Sequence, residues 1–321
     1  MQELAAICAA ALAITASSAS AQIARPASAE QGQTTPMASP SWTGFHIGLD
    51  VGYVWDPNVY TAAYPVIAGI DMLQTDYFLG SYSGITHGGA SALSATGTSR
   101  PNVNGFLGGG QVGYDYQFGA RFVVGIEGDI QGASAHGHGA FTGLASTTFF
   151  DEASCNPASP EGKICTDVVG SSVQNQKSID WLGTVRGRFG YLVTPTLLVY
   201  GTGGLAYGGV TARTSITQQW GGNEYGPSFI SPGAAGNISE TRVGWTLGGG
   251  LEWLFLQNWS VKVEYLYYDL GNVQFASSPL TTIFPVGDII AALPTVYNVA
   301  IPITHTRFDG NIFRAGVNYH F

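Results

Sequence analysis

Ten charged side chains sit at positions where an extended backbone would turn them all to one side. Asp50, Asp115, Glu127, Asp129, Glu252 and Glu264 are acidic; Arg186, Arg188, Lys262 and Arg314 are basic. Most are bracketed by apolar or glycine residues, as in Leu49-Asp50-Val51 and Val261-Lys262-Val263. Side chains alternate between the two faces of a strand, so each charge would face away from its neighbours. Three chemistries use such a set. Two carboxylates could share acid–base work, a ring of charge could narrow a pore, or the charges could pair inside a closed structure. Catalysis lacks an accompanying nucleophile and base, so no catalytic residue and no enzyme activity are expected. Unpaired charges in a tight interior would cost several kcal/mol each. A structural ion-pair network is therefore expected, with a charged constriction as the alternative.

Other candidates are thinner. His136-Gly137-His138 lies in the second of the long loops between periodic segments, and His87 lies in the first. Imidazoles ligate metals and haem, so these three are candidates for metal or haemin capture; a solvated loop is the alternative. Gly201-Thr202-Gly203-Gly204-Leu205-Ala206 has the spacing of a dinucleotide fingerprint. That motif needs a helix to follow, whereas Tyr207-Gly208-Gly209-Val210 continues a strand pattern, so no cofactor is expected. Cys155 and Cys165 are positioned to close a short loop as a disulfide in an exported protein, or else are free thiols.

Eight segments can position these residues. They cover about 42–55, 103–118, 121–132, 178–193, 196–211, 241–255 and 258–270, with the last running from about 307 to 321, and apolar residues recur at every second position. In the last, Phe313, Ala315, Val317, Tyr319 and Phe321 oppose Arg314, Asn318 and His320. In the fourth, Ile179, Trp181 and Val185 oppose Thr184 and Arg186. The fifth is irregular, because Leu198 and Tyr200 break the alternation. Three connections are tight (118–121, 194–196, 256–258). Four are long (56–102, 133–177, 212–240, 271–305), and long and short alternate. Aromatics collect at the segment ends, among them Trp42, Tyr53, Trp253, Trp259 and Phe321.

Composition narrows the class. Charged residues are 10% of the chain, aromatics 12%, and there are 45 glycines. Mean hydropathy is +0.14, too apolar for a disordered chain, yet no run approaches the ~20 apolar residues of a membrane helix. Apolar residues spread over alternate positions fit strands with one face in lipid. The expected fold is all-β: an eight-stranded antiparallel up-and-down transmembrane β-barrel with four long extracellular loops. Residues 1–21 read as a signal peptide, with Ala19-Ser20-Ala21 at the cleavage site; 22–41 as a flexible periplasmic leader; and 42–321 as the barrel. An even number of strands puts both termini in the periplasm. The net charge of −9 argues against nucleic acid.

Three stretches carry a resemblance. Trp42-Thr43-Gly44-Phe45-His46-Ile47-Gly48 opens the barrel segment. Gly244 to Trp253 leads into Asn258 to Gly271. Arg314-Ala315-Gly316-Val317-Asn318-Tyr319-His320-Phe321 closes it. Together they resemble the small immunogenic outer-membrane proteins of alphaproteobacteria, an opacity-like porin family of eight-stranded barrels. The resemblance implies a Gram-negative outer membrane, surface antigens and, in some members, haemin binding. It implies no catalytic residues. The expected function is structural: envelope integrity and surface presentation of the loops. A narrow porin for small solutes, or a haemin- or metal-binding receptor, is the alternative. Expected partners are outer-membrane lipids, lipopolysaccharide, and the barrel assembly machinery through the strand ending at Phe321.

Overall fold

The computed structural model describes residues 41–56, 61–66, 83–150, 164–222, 229–284 and 295–321. The leader segments 1–21 and 22–41, apart from Ser41, lie outside these residues. So does Cys155, and with it the expected pairing to Cys165. The elements in order are β1 (Gly44–Trp55), β2 (Thr61–Val66), α1 (Ser83–Ser94), β3 (Gly97–Ser99), β4 (Asn104–Phe118), β5 (Phe122–Phe150), β6 (Ile164–Thr194), β7 (Leu197–Gly222), β8 (Phe229–Leu254), β9 (Trp259–Ala276), β10 (Leu280–Phe284) and β11 (Thr295–His320).

Eight of these strands form a closed antiparallel ring, in the order β1, β4, β5, β6, β7, β8, β9, β11. The seam is made by β1 and β11, with His46 opposite His320 and Trp55 opposite Asn311. Closure satisfies the backbone donors and acceptors of both edge strands. All eight periodic segments fall on these strands. The tight turns are also as expected. At the first, Gly119 takes φ +62°, a left-handed conformation that glycine adopts without a steric penalty.

The long connections differ from expectation. Most of 133–177 and 212–240 is not loop: β5 and β6 pair from Phe122↔Tyr191 up to Phe150↔Ile164, with one register shift between Gly132 and Ala135, and β7 pairs β8 as far as Trp220↔Phe229. Gln, Ser, Thr and Gly dominate these stretches, so the apolar stripe that marks a strand in lipid is missing. The first connection contains α1 and two short strands, with β2 on β11 and β3 on β2.

Outward faces carry a band of apolar side chains at the end with the tight turns. In β1 it runs from Phe45 to Trp55. At about 3.3 Å per residue and a tilt near 45°, such a run rises roughly 25 Å, the height of a hydrocarbon band. Paired rings edge it on both sides. Trp259–Tyr319 (5.2 Å) and Phe118–Phe122 (5.5 Å) lie below; Tyr53–Phe106 (5.3 Å) and Trp245–Tyr267 (5.3 Å) lie above. Trp42 is an exception to the expected ring of aromatics. It is buried, it donates its indole N–H to the Pro195 carbonyl at 3.1 Å, and it meets His320 edge-on. It belongs to the floor of the lumen.

A charged lumen as the candidate functional site

Every ring strand except β7 points a charged or histidine side chain into the lower lumen, and β7 adds Tyr200. All ten charged residues singled out in the sequence are there, and none is more than 6% exposed. Arg186 is the hub. It binds Glu127, donates to Asp129 Oδ2 at 3.1 Å and Glu264 Oε1 at 2.8 Å, and is steadied by Thr184 Oγ1 at 2.8 Å. Arg314 reaches Glu264 and Asp129 Oδ2 (3.0 Å), with Asp50 Oδ2 3.6 Å away. Arg188 joins Asp115 at 2.8 Å to Glu252 at 2.9 Å. Lys262 holds Glu127 at 2.9 Å. Five of these links, Arg186–Glu264, Arg314–Asp129, Arg188–Asp115, Arg188–Glu252 and Lys262–Glu127, join strands that are not neighbours in the ring, so they fix its diameter as well as neutralising charge.

Polar residues complete the layer. Gln131 donates to Asp50 Oδ1 at 2.6 Å, Tyr200 to Glu264 Oε1 at 3.1 Å, and Asn318 to Glu252 Oε1 at 2.7 Å. His46 lies 3.4 Å from Asp115 and 3.5 Å from Glu127; His320 lies 3.3 Å from Glu252. The six carboxylates face four fixed cations, and the two histidines approach oxygens that already have partners: Asp115 Oδ2 and Glu127 Oε2 for His46, Glu252 Oε1 for His320. The sequence pattern turns His46, Gln111, Asn318 and His320 inward, but only the structure ties them to the charges. Glycines supply the space: a Cβ on Gly250 would come 2.8 Å from the Tyr200 hydroxyl.

The charged layer lies between apolar ones. Trp42, Val123, Leu192, Leu198, Tyr200 and Leu254 form a floor beneath it. Leu198 and Tyr200 thus point inward, which removes the apparent irregularity of the fifth segment: alternation holds, but the lumen is not uniformly polar. Above the charges lie Leu107, Leu182, Leu266, Tyr268, Phe308 and Ile312. Ile179 joins them. It was expected to point outward with Trp181, but a register shift between the two reverses its face. Higher still, Lys177 reaches Asp56 at 3.0 Å and caps the Phe308 ring at 4.4 Å. Burial pushes the Lys177 ammonium below its ordinary pKa, and Asp56 pulls it partly back. At the top, α1 sets Ala92 and Ala95 against Val173, Ile216 and Leu280. Gln218 fastens it by donating to the Ser91 carbonyl and Ser171 Oγ, both at 2.9 Å. The small residues Ala90-Ser91-Ala92 and Ser94-Ala95 let a helix fit within the ring, and that spacing was the only sequence signal for it.

His136 and His138 are on the exposed face of β5, above the apolar band, rather than in a loop. His87 lies within α1. Residues 201–206 lie wholly within β7. Among the described residues no group of three or more His, Cys, Asp and Glu could hold a metal ion.

Comparison with known proteins agrees with this architecture. The chain matches the outer membrane protein beta-barrel domain over residues 4–321. It is 32% identical over 243 residues to the 31 kDa outer-membrane immunogenic protein of Brucella melitensis, covering 74% of this chain and 77% of that one. It is 30% identical over 200 residues to the 22 kDa outer membrane protein of Rhizobium leguminosarum, covering 61% and 68%. Among solved structures, OprG of Pseudomonas aeruginosa aligns over 88% of this chain and 98% of its own, at 10% identity and a TM-score of 0.38. The family match spans nearly the whole chain, and two relatives share about a third of the aligned residues with it: the chain belongs to the outer-membrane β-barrel domain family, with alphaproteobacterial outer-membrane proteins as its relatives.

Proposed function

We propose that the protein is a structural barrel of the outer membrane that stabilises the envelope and holds its tall hairpins at the cell surface. Eight strands cross the lipid, both termini are periplasmic, and the upper hairpins are extracellular. The observation that carries this is the filled lumen. An apolar floor, a paired charge layer, a second apolar layer and a helix follow one another along the axis. Ions would have to break buried pairs and cross two dry layers, each step costing several kcal/mol. The charges are also out of reach of a substrate, which weighs against catalysis. Lipopolysaccharide surrounds the band, and the assembly machinery engages the terminal strand, where the Phe321 N–H binds the Phe45 carbonyl at 2.9 Å.

Planar-bilayer recording of the purified, untagged protein tests the reading. A silent membrane is expected despite full insertion, checked by unboiled gel mobility. Reproducible single-channel steps would replace the structural role with that of a narrow porin.

A further inference from the structure

We propose that His136 and His138 form a chelating site for a divalent late-transition metal on the outer wall of the barrel. The argument starts from strand geometry. Residues two apart on a strand project from the same face, and both imidazoles are exposed there. β5 is paired on both sides at His136, opposite Asn104 on β4 and Ser178 on β6, and on the β6 side at His138, opposite Gln176. The two side chains therefore leave a stiff platform, and one ion is bound with little loss of backbone freedom. Gly137 between them faces the lumen and adds no bulk outside.

The surroundings suit a cation. His136 and His138 line a groove of about 300 Å³. Asp180 lines it too, and its carboxylate is fixed by Ser178 Oγ and Thr211 Oγ1, each at 3.3 Å. A nearby carboxylate offsets the metal's charge and can orient a ligating imidazole through its second nitrogen. Arg213 lines the far side, two strands away from His138, roughly 10 Å by strand spacing. The donors are two imidazoles, with water completing the sphere. This set suits Cu2+, Ni2+ and Zn2+ over Mg2+ or Ca2+, with Cu2+ bound most tightly.

Cu2+ alone is the probe, titrated into the folded, untagged protein by calorimetry and electron paramagnetic resonance. One ion per chain with two coupled imidazole nitrogens is expected. His136→Asn and His138→Asn should each weaken binding by about 10–100-fold or more, since losing even a supporting group costs that much. His87→Asn should leave it unchanged. A wild-type spectrum without two imidazole nitrogens overturns the proposal, whether or not the variants fold. Unchanged affinity in either folded single variant overturns it as well.

Discussion

Replacing Arg186 by methionine removes the hub of the lumen while keeping an unbranched side chain of similar length. Three carboxylates lose a partner: Glu127, Asp129 and Glu264. Each keeps another. Lys262 stays 2.9 Å from Glu127, and Arg314 stays 3.0 Å from Asp129 and 2.6 Å from Glu264. Removing one member of a buried pair costs about 3–5 kcal/mol, and the surviving cations place this case at the low end. A loss of about 3 kcal/mol lowers the folded-to-unfolded ratio roughly a hundredfold. Urea unfolding in lipid vesicles, followed by tryptophan fluorescence and unboiled gel mobility, measures it. Glu264→Gln should cost less in the Arg186→Met background than alone, with a coupling of about 1–3 kcal/mol. If Arg186→Met stayed within about 0.5 kcal/mol of wild type, as ordinary surface changes do, the charges would be solvated. The filled-lumen account would then fail.

Four other substitutions probe separate layers. Val263→Arg, on the outward face of β9 midway between the edge residues Trp259 and Tyr267, should cost about 2–4 kcal/mol in vesicles, whereas Thr217→Arg on the exposed upper wall of β7 should cost about 0–1; equal costs would put both in one medium. Lys177 has a folded pKa lowered by burial below its unfolded 10.5. The unfolded chain therefore holds that proton to higher pH, and stability should rise with pH in the interval up to 10.5. Lys177→Met should remove that rise from a pH series of urea midpoints; an unchanged slope refutes the assignment. Gln218→Leu leaves the buried Ser91 hydroxyl without the Gln218 Oε1 it donates to at 2.8 Å and should loosen α1 by about 1–3 kcal/mol, seen as faster amide exchange across 83–94 with β6 and β7 unaffected.

The lower barrel was legible because two opposed solvents impose one rule on every strand. Val261, Val263 and Tyr265 must meet lipid, while Lys262 and Glu264 must find partners, and alternation records both. The ten lumen charges could be placed inside for that reason, but their pairing could not. Which carboxylate Arg186 reaches depends on strand stagger and lumen width. The upper barrel was not legible because the rule changes there. Gln174, Gln176 and Ser178 face outward while Val173 and Ile179 face inward, so apolar residues are fewer and polar ones mimic a loop. Trp42 was misplaced because a buried indole and a lipid-facing one look alike in sequence.

The change of rule has a local mechanism. In β6 the outward residues are odd-numbered from Tyr191 to Trp181 and even-numbered from Asp180 upward. The switch falls on the register shift between Ile179 and Trp181. In β9 the odd outward run ends at Tyr267 and an even one begins at Asn272, across Gly271 at φ +82°, whose N–H binds Asp269 Oδ1 at 2.9 Å. Each irregularity interrupts the one-to-one pairing, at Asp180 in β6 and at Leu270-Gly271 in β9, which is how a bulge re-aims the strand beyond it. Both lie near the upper edge of the apolar band. Below them the strands are apolar outside; above them they are polar outside, and the inside mixes apolar residues such as Val173 and Ile216 with polar ones such as Asn175 and Thr214. One continuous ring thus passes from hydrocarbon to water without an open edge, because the bulges shift the faces where the medium changes.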